Sequence, residues 1–502
     1  LTLCGVEEPP GSKVTIRGGD PVVSSPYRLG EAAAAALGAQ GAAIADLWAQ
    51  RSGHAQQVTI DVAEAALSLK SVNYLLLRGY PVPFPDPAYP TIAFYPTRDN
   101  RRIMLHGGYP GLRDKLLELL GCANTANAIG AAVAQHNARE LEDAIAKAGA
   151  CGTIARTAKE WSEHPQGIAL AGTPLIDITP LGDASPAEPP GPGARPLSGL
   201  RVLDLTHVLA GPTASRVLAE QGADVLRISA PGRPVIQGFI MDTGHGKLST
   251  LLKLMPDVNN DKSDAGRARA ARDMALVEED RKRFRDLLSE ADVLLYSYRP
   301  GGLERMGFSD AELARIRPGL IYASVSCYGE VGDWRERPGW EQLAQTCTGM
   351  ALTQGEALGK TEPELSVVFP NDYVTGYLTA YGILAAVLKR GRRGGGYRVR
   401  TSLCRTAMWL QSFQPVPKTP PPSDDALDRI AKRLIQKGQT AWGPLSYMGP
   451  VTRFSATSAR WERPTTPLAH DPVLWPAGPR FSEHSPETAD EAALYAREIT
   501  QM

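Results

Sequence analysis

The chain has 502 residues, enough for two to four domain-sized units with sizeable cores. Lys plus Arg and Asp plus Glu each number 54, so no global field points toward nucleic acid or an anionic membrane, and an anionic ligand must be held by local groups. The six cysteines (4, 122, 151, 327, 347, 404) show neither CxxC nor zinc spacing, which predicts plain thiols, a reducing cytoplasmic setting and no metal site, and no apolar run of about 18 residues predicts a membrane span.

Residues 1–28 are rich in Gly, Pro and Ser and read as an irregular lead-in. Their start has neither the basic residues nor the apolar core of a signal peptide, and the missing initiator Met points to trimming or a partial chain. An alanine-rich helix, Gly30 to Gln50, is followed by a turn, a short alternating strand (QVTIDV) and a helix from Ala63 to Leu77. A proline-rich crossing, Pro81 to Pro90, precedes a hairpin with its turn at Thr97 to Asn100. Helices near Leu112–Leu120 and Asn124–Lys147 and the strand PLIDITPLG complete a unit spanning 29–182. The segment Asp183–Arg195, DASPAEPPGPGAR, has almost nothing to bury and reads as a linker.

After the linker the pattern becomes α/β. LRVLDLTHV is an apolar strand, AGPTASRVLAEQG a helix with Pro212 as a favoured first residue, and ADVLRIS the next strand. A mixed-charge helix, Asp264 to Glu290, feeds ADVLLYSY, and Ser309 to Ile316 feeds LIYASVSCYG. Right-handed crossovers between parallel strands bind ligands at strand carboxyl ends, here Thr206–Pro212, Tyr296–Gly302 and Ser326–Gly332. This unit spans 196–415, and 416–502 reads as a return segment with a short basic helix, Asp425–Lys437, and a tail.

Within Val368–Trp409, Asn371 and Asp372 are good N-cap residues for a helix over Tyr377–Leu388, followed by a basic glycine-rich turn and an alternating strand, Tyr397–Leu403. Free N–H groups and the helix dipole would favour an ionised Asp372, although most such residues only cap a helix. Shifting residues 35–71 by 341 positions without gaps lays Gly41 on Gly382, Arg51 on Arg392, Val58 on Val399 and Ala66 on Ala407, so helix, turn, strand and helix recur in one order. At that register Glu31 faces Asp372, as a duplication remnant or cap.

Asp242-Thr-Gly-His-Gly-Lys-Leu-Ser fails as a phosphate loop, because Met241 and Leu248 stand where Gly and Ser/Thr are required; Lys247 remains a lone-charge candidate beside the reading of a solvated lysine. His207 and His245 lie near strand ends, where structural histidines are commoner than bases. The basic run Lys389–Arg393 reads as a solvated turn.

Several of these stretches arrive in one order: PLSGLRVLDLTHVLAGPTASRVLAEQGADVLRI, GHGKLSTLLKL, ADVLLYSYRPGGLERMGF, RPGLIYASVSCYGEVGDW and PNDYVTGYLTAYGILAAVLKR. In this order the chain resembles the family III CoA-transferases, the group of formyl-CoA transferase, carnitine CoA-transferase and α-methylacyl-CoA racemase. The resemblance covers 196–415 well and 30–182 and 440–476 more loosely. It implies Rossmann-like, doubly wound α/β layers with a smaller α+β cap domain, in a fused or rearranged member whose first unit is the later half of the fold with the cap.

The activity implied is transfer of CoA from an acyl-CoA donor to a small carboxylic acid, with no permanently bound cofactor and a homodimeric assembly. Asp372 matches the family's catalytic aspartate, which attacks the thioester to give an aspartyl anhydride and then an aspartyl-CoA thioester. Val208, Leu209, Ala210, Lys247, Tyr298, Arg305, Met306 and Tyr328 would line the CoA cleft, Arg305 as the phosphate contact. Leu209 replaces a Gln of formyl-CoA transferase, which argues against oxalate as acceptor. The racemase histidine falls near Trp340, beside Glu341, which weakens a two-base racemase. A CoA-thioester isomerase or lyase, or a non-catalytic CoA-binding protein, are the competing readings.

Overall fold

The structure is a computed structural model and describes residues 12–83, 89–186, 190–191, 193–257, 261, 263–416, 421–478 and 480–481. Cys4, most of the lead-in before Ser12, parts of the linker and of the proline-rich crossing, and the tail lie outside these residues.

In chain order the elements that build the centre are α1 (Leu29–Ser52), β1 (Asp177–Gly182), β2 (Arg201–Leu205), α2 (Ala210–Ala219), β3 (Asp224–Ser229) and β4 (Lys247–Leu251). They continue as β5 (Val293–Tyr296), β6 (Ile321–Ser326), α3 (Glu341–Thr348), α4 (Pro370–Arg393) and β7 (Gly396–Ser402). The seven strands form one sheet in the order β4-β3-β2-β5-β6-β7-β1, parallel throughout except for the last pair. Strands β2 and β5 are buried along their whole length, as apolar runs should be when helices cover both faces of a parallel sheet. The order reverses between β2 and β5. Connections there leave in opposite directions, so a crevice opens beyond the carboxyl ends of these two strands.

A smaller module stands beside the sheet. Ile92–Pro96, Arg102–His106 and Gly152–Ile154 form an antiparallel sheet, covered by helices Pro110–Leu120, Ala126–Val133 and Ala138–Lys147. Tyr95, Ile103, Leu105, Leu116, Ile129 and Leu141 share its separate core. The hairpin turn follows Pro96, with Asn100 left-handed at φ 56°. The helix expected over Asn124–Lys147 is two helices, because Asn137 restarts the chain and the Asp99 carboxylate accepts the Ala138 N–H at 3.0 Å.

The units drawn from sequence interlock. β1, expected to end the first unit, is an antiparallel edge strand on β7. From the far end of the chain, Arg453–Phe454 pairs with the strand Gln57–Asp61, and Gly443–Met448 pairs with Leu76–Leu77. The expected lead-in contains a strand, Lys13–Arg17, parallel to Gln57–Asp61. The helix expected over Ala63–Leu77 stops at Ser68 and gives way to one 3-10 turn and a short strand. The expected basic helix ends at Leu434, where Ile435–Thr440 joins a sheet.

The 341-residue offset recurs in three dimensions. α1 and α4 are both 24 residues long and share that offset at both ends. A Cβ at Gly41 would lie 2.5 Å from Cγ1 of Val58, and one at Gly382 would lie 2.7 Å from Cγ1 of Val399, so each helix rests on its following strand at an equivalent glycine. Asp61 and Ser402, also equivalent, cap the next helices through their side chains. α1 and α4 share the largest apolar cluster, which fixes the axis of α4 and hence the place of its first turn.

Candidate active site

α4 starts earlier than expected. Phe369 is its N-cap and Pro370 its first residue, so Asp372 lies inside the first turn and is only 6 % exposed. The cap comes from another helix. Glu341, first residue of α3, accepts the N–H of Asn371 at 3.3 Å and its Nδ2 at 3.0 Å, and the N–H of Asp372 at 2.5 Å. Gln345 Nε2 donates to the same carboxylate at 2.7 Å. One turn on, Gly376 lets α4 cross the start of α2, where a Cβ would lie 2.6 Å from the Ala210 carbonyl oxygen. The Tyr373 hydroxyl donates to Asp242 Oδ2 at 3.1 Å, and Arg216 pairs with the same oxygen at 2.9 Å. The Asp372 carboxyl is thereby held in the wall of the switch-point crevice.

Its electrostatics reverse the expectation of a readily ionised acid. Burial pushes Asp372 well above the usual carboxylate range, and the nearby Glu341 charge adds to the shift. Burial also pushes Glu341 up to about 7, against hydrogen bonds from Gln345, Asp372 and Asn371. The N–H that could have favoured an Asp372 anion is spent on Glu341. With four donors around Glu341, the charge of the pair rests there and the proton on Asp372.

The crevice is a cleft of about 910 Å³. Val208, Ala210, Tyr298, Arg305, Met306 and Asp372, all singled out in the sequence, line it together. Val208 follows β2 in the left-handed region at φ 69°, a strained conformation for a β-branched residue. Three other candidates lie elsewhere. Leu209 is fully buried under the start of α2 and packs in the main core. Lys247 is buried in an ion pair: its Nζ donates to Asp204 Oδ2 at 2.9 Å, Ser215 Oγ at 2.7 Å and the Pro212 carbonyl at 2.9 Å, anchoring α2 to the sheet. Burial lowers its pKa to about 8, partly offset by Asp204. Tyr328 sits behind the cleft wall, its carbonyl accepting Gln166 Nε2 at 2.8 Å and its ring edge-on to Trp334.

Sequence reasoning named His207 and Trp340 but not Tyr109 and His106, with which they form an aromatic floor. Trp340 stacks on Tyr109 at 5.2 Å and on His106 at 5.6 Å, and the Tyr109 hydroxyl lies 3.5 Å from His207 Nδ1. His207 in turn meets the Tyr298 ring at 5.9 Å. Burial, with Arg233 nearby, pushes the His207 imidazole down to about 4, so it is neutral at pH 7. Tyr109 comes from the smaller module on the Gly107-Gly108-Tyr109-Pro110 turn, and that turn was the available signal. Lys115, Arg233, Arg299 and Arg305 line the outer part of the cleft and are all exposed. Among the described residues no cluster of three His, Cys, Asp or Glu could hold a metal ion, no helix is long and apolar enough to cross a membrane, and the five cysteines are free.

Comparison with known proteins gives the family. Curated relatives include an acetyl-coenzyme A transferase of Hypoxylon pulicicidum, 38% identical over 42% of this chain and 33% of its own length. An acyl-CoA transferase of Gibberella moniliformis is 27% identical over 76% of this chain and 73% of its own length. The beta subunit of a succinyl-CoA–L-malate CoA-transferase of Chloroflexus aurantiacus is 32% identical over 41% and 48%. The chain thus spans from a third to about three-quarters of the length of these relatives. Among solved structures, a hypothetical protein from Mycobacterium tuberculosis matches at 30% identity and TM-score 0.37, over 44% of this chain and 58% of that one. The model of CoA-transferase family III matches residues 11–179 and 197–426, most of the chain, and the chain belongs to that family.

Proposed function

We propose that the cleft binds the thioester of coenzyme A and that the chain moves CoA from an acyl-CoA donor to a carboxylic acid, with Asp372 as nucleophile. The observation that carries this reading is the polarity of the cleft, with exposed cations along its outer part and one buried carboxylate at its apolar end. A CoA thioester has the same polarity, phosphates at one end and an uncharged thioester at the other. Lys115, Arg233, Arg299 and Arg305 would meet the phosphates, Arg305 through the bidentate geometry of its guanidinium.

Once deprotonated, Asp372 attacks the thioester carbon; the C–S bond breaks, CoA leaves as thiolate and an aspartyl anhydride remains. The thiolate attacks the aspartyl carbonyl and releases the donor acid. The acceptor carboxylate then attacks the aspartyl-CoA thioester, forming a second anhydride and freeing the thiolate, which takes the acceptor's acyl group and restores Asp372. Every intermediate is sensitive to water, and the Tyr109–Trp340 wall is suited to excluding it. Glu341 holds the Asp372 backbone and, as the charged partner, sets the pH at which the nucleophile ionises. CoA is a substrate here and not a resident cofactor.

The test is mass spectrometry of the Asp372 peptide after donor and hydroxylamine are added. A hydroxamate at Asp372, absent from Asp372→Asn, supports the reading. Near-full transfer by Asp372→Asn would sink it.

A further inference from the structure

We infer that the acyl group handled at this site is that of an uncharged, hydrocarbon-bearing monocarboxylic acid, and that acids with a second carboxylate are rejected. The inference rests on the CoA reading above and extends it to the acyl end.

The cleft divides by depth. Its cations Lys115, Arg233, Arg299 and Arg305 are exposed, and Lys253 is already bound to Asp257 and Asp273. Arg233 lies over the Tyr298 ring at 4.6 Å. The inner wall near Asp372 is apolar: Leu205, Val325, Cys327 and Leu403 are at least nine-tenths buried, and Val208 and Trp340 complete it. Ser297 and Ser326 add hydroxyls to the lining, and beside the apolar wall stand the Tyr109 hydroxyl and the His207 ring, 3.5 Å apart. Neither carries a positive charge at neutral pH.

A thioester carbonyl placed against Asp372 puts the acyl chain on this wall. A second carboxylate there would lose its hydration without gaining a cation, and the Glu341–Asp372 pair would repel it. A hydrocarbon chain gains from burial against the same surface. Sites of this kind discriminate strongly, because an unpaired buried charge costs far more than a missing methylene.

Matched thioesters test this. Hexanoyl-CoA and adipoyl-CoA share the carbon count and the CoA half and differ in one terminal carboxylate. Calorimetric titration of the full chain should give at least about tenfold tighter binding of hexanoyl-CoA. Arg233→Gln should weaken both thioesters and free CoA by a similar factor. Trp340→Arg, which places a cation in the floor, should narrow or reverse the preference, while Trp340→Phe should keep it. Equal or tighter binding of adipoyl-CoA would overturn the inference, as would a selective loss of adipoyl-CoA in Arg233→Gln. If free CoA binds and the pair is not discriminated, the inference alone falls. If neither free CoA nor either thioester binds, the CoA reading falls and takes this inference with it.

Discussion

The backbone N–H of Asp372 donates to Oε2 of Glu341 across 2.5 Å, joining two buried carboxyl groups from different helices at the inner end of the cleft. The contact stabilises the first turn of α4 and at the same time brings together two ionisable carboxyl groups that burial keeps from both being charged. Both consequences are measurable.

Asp372→Asn removes the proposed nucleophile and one of the two buried carboxyl groups. Transfer should fall by roughly a thousandfold or more. Stability should move the other way. Both carboxyl groups have pKa values raised in the folded state, so the native fold is destabilised as pH rises from their unfolded values toward and through the folded ones. The variant should therefore be more stable than wild type by about 1–3 kcal/mol at pH 8, and the gain should shrink toward pH 5. Thermal unfolding at the two pH values checks the sign.

Glu341→Gln keeps the size of the side chain but removes its charge. Asp372 should then ionise at lower pH, so the rise of kcat/KM with pH should shift toward acid relative to wild type. Its maximum should also fall, because an amide offers one acceptor oxygen where the carboxylate offers two. A profile unshifted in pH would mean that Glu341 does not act on the ionisation of Asp372.

Lys247 and Arg305 separate structure from binding. Lys247→Met leaves Asp204 buried without its ion partner and should cost about 3–5 kcal/mol of stability. The folded fraction should keep its KM for acyl-CoA. Arg305→Gln should leave Tm nearly unchanged and raise that KM several-fold, less so at high salt, where exposed charges are screened. Denaturation curves beside KM at two salt concentrations distinguish the two.

Gly376→Ala drives a methyl group into the Ala210 carbonyl, and should cost roughly 1–3 kcal/mol while lowering kcat by displacing the first turn of α4. Gly391 on the same helix has open space around it. Gly391→Ala should be neutral or stabilising by up to about 1 kcal/mol, with unchanged turnover. Equal effects of the two substitutions would break the link between the α2–α4 crossing and the placement of Asp372.

Local pattern was enough for the elements that bury whole strands or repeat. The runs RVLDL, VLLY and IYASVS were legible as sheet strands because a strand covered on both faces needs an unbroken apolar run. The repeat was legible because Gly41 and Gly382 answer one packing requirement, a close approach to a valine on the following strand. Local pattern misled where a partner comes from far away. α4 begins at Pro370 because Glu341 caps it from another helix, and Lys247 reads as a free cation until Asp204 is beside it.

The sequence by itself determined the doubly wound layer, the family resemblance, and the candidacy of Asp372 and five further residues that the fold brings to one cleft. These follow from periodicity, strand-end rules and ordered motifs, all of which are written along the chain. Tertiary structure alone decided the protonation of Asp372 and the surroundings of its carboxyl group. Burial and the approach of Glu341, Tyr109 and Trp340 depend on distances between segments far apart in sequence, and desolvation at such a point outweighs the local preference of a helix N-terminus for an anion.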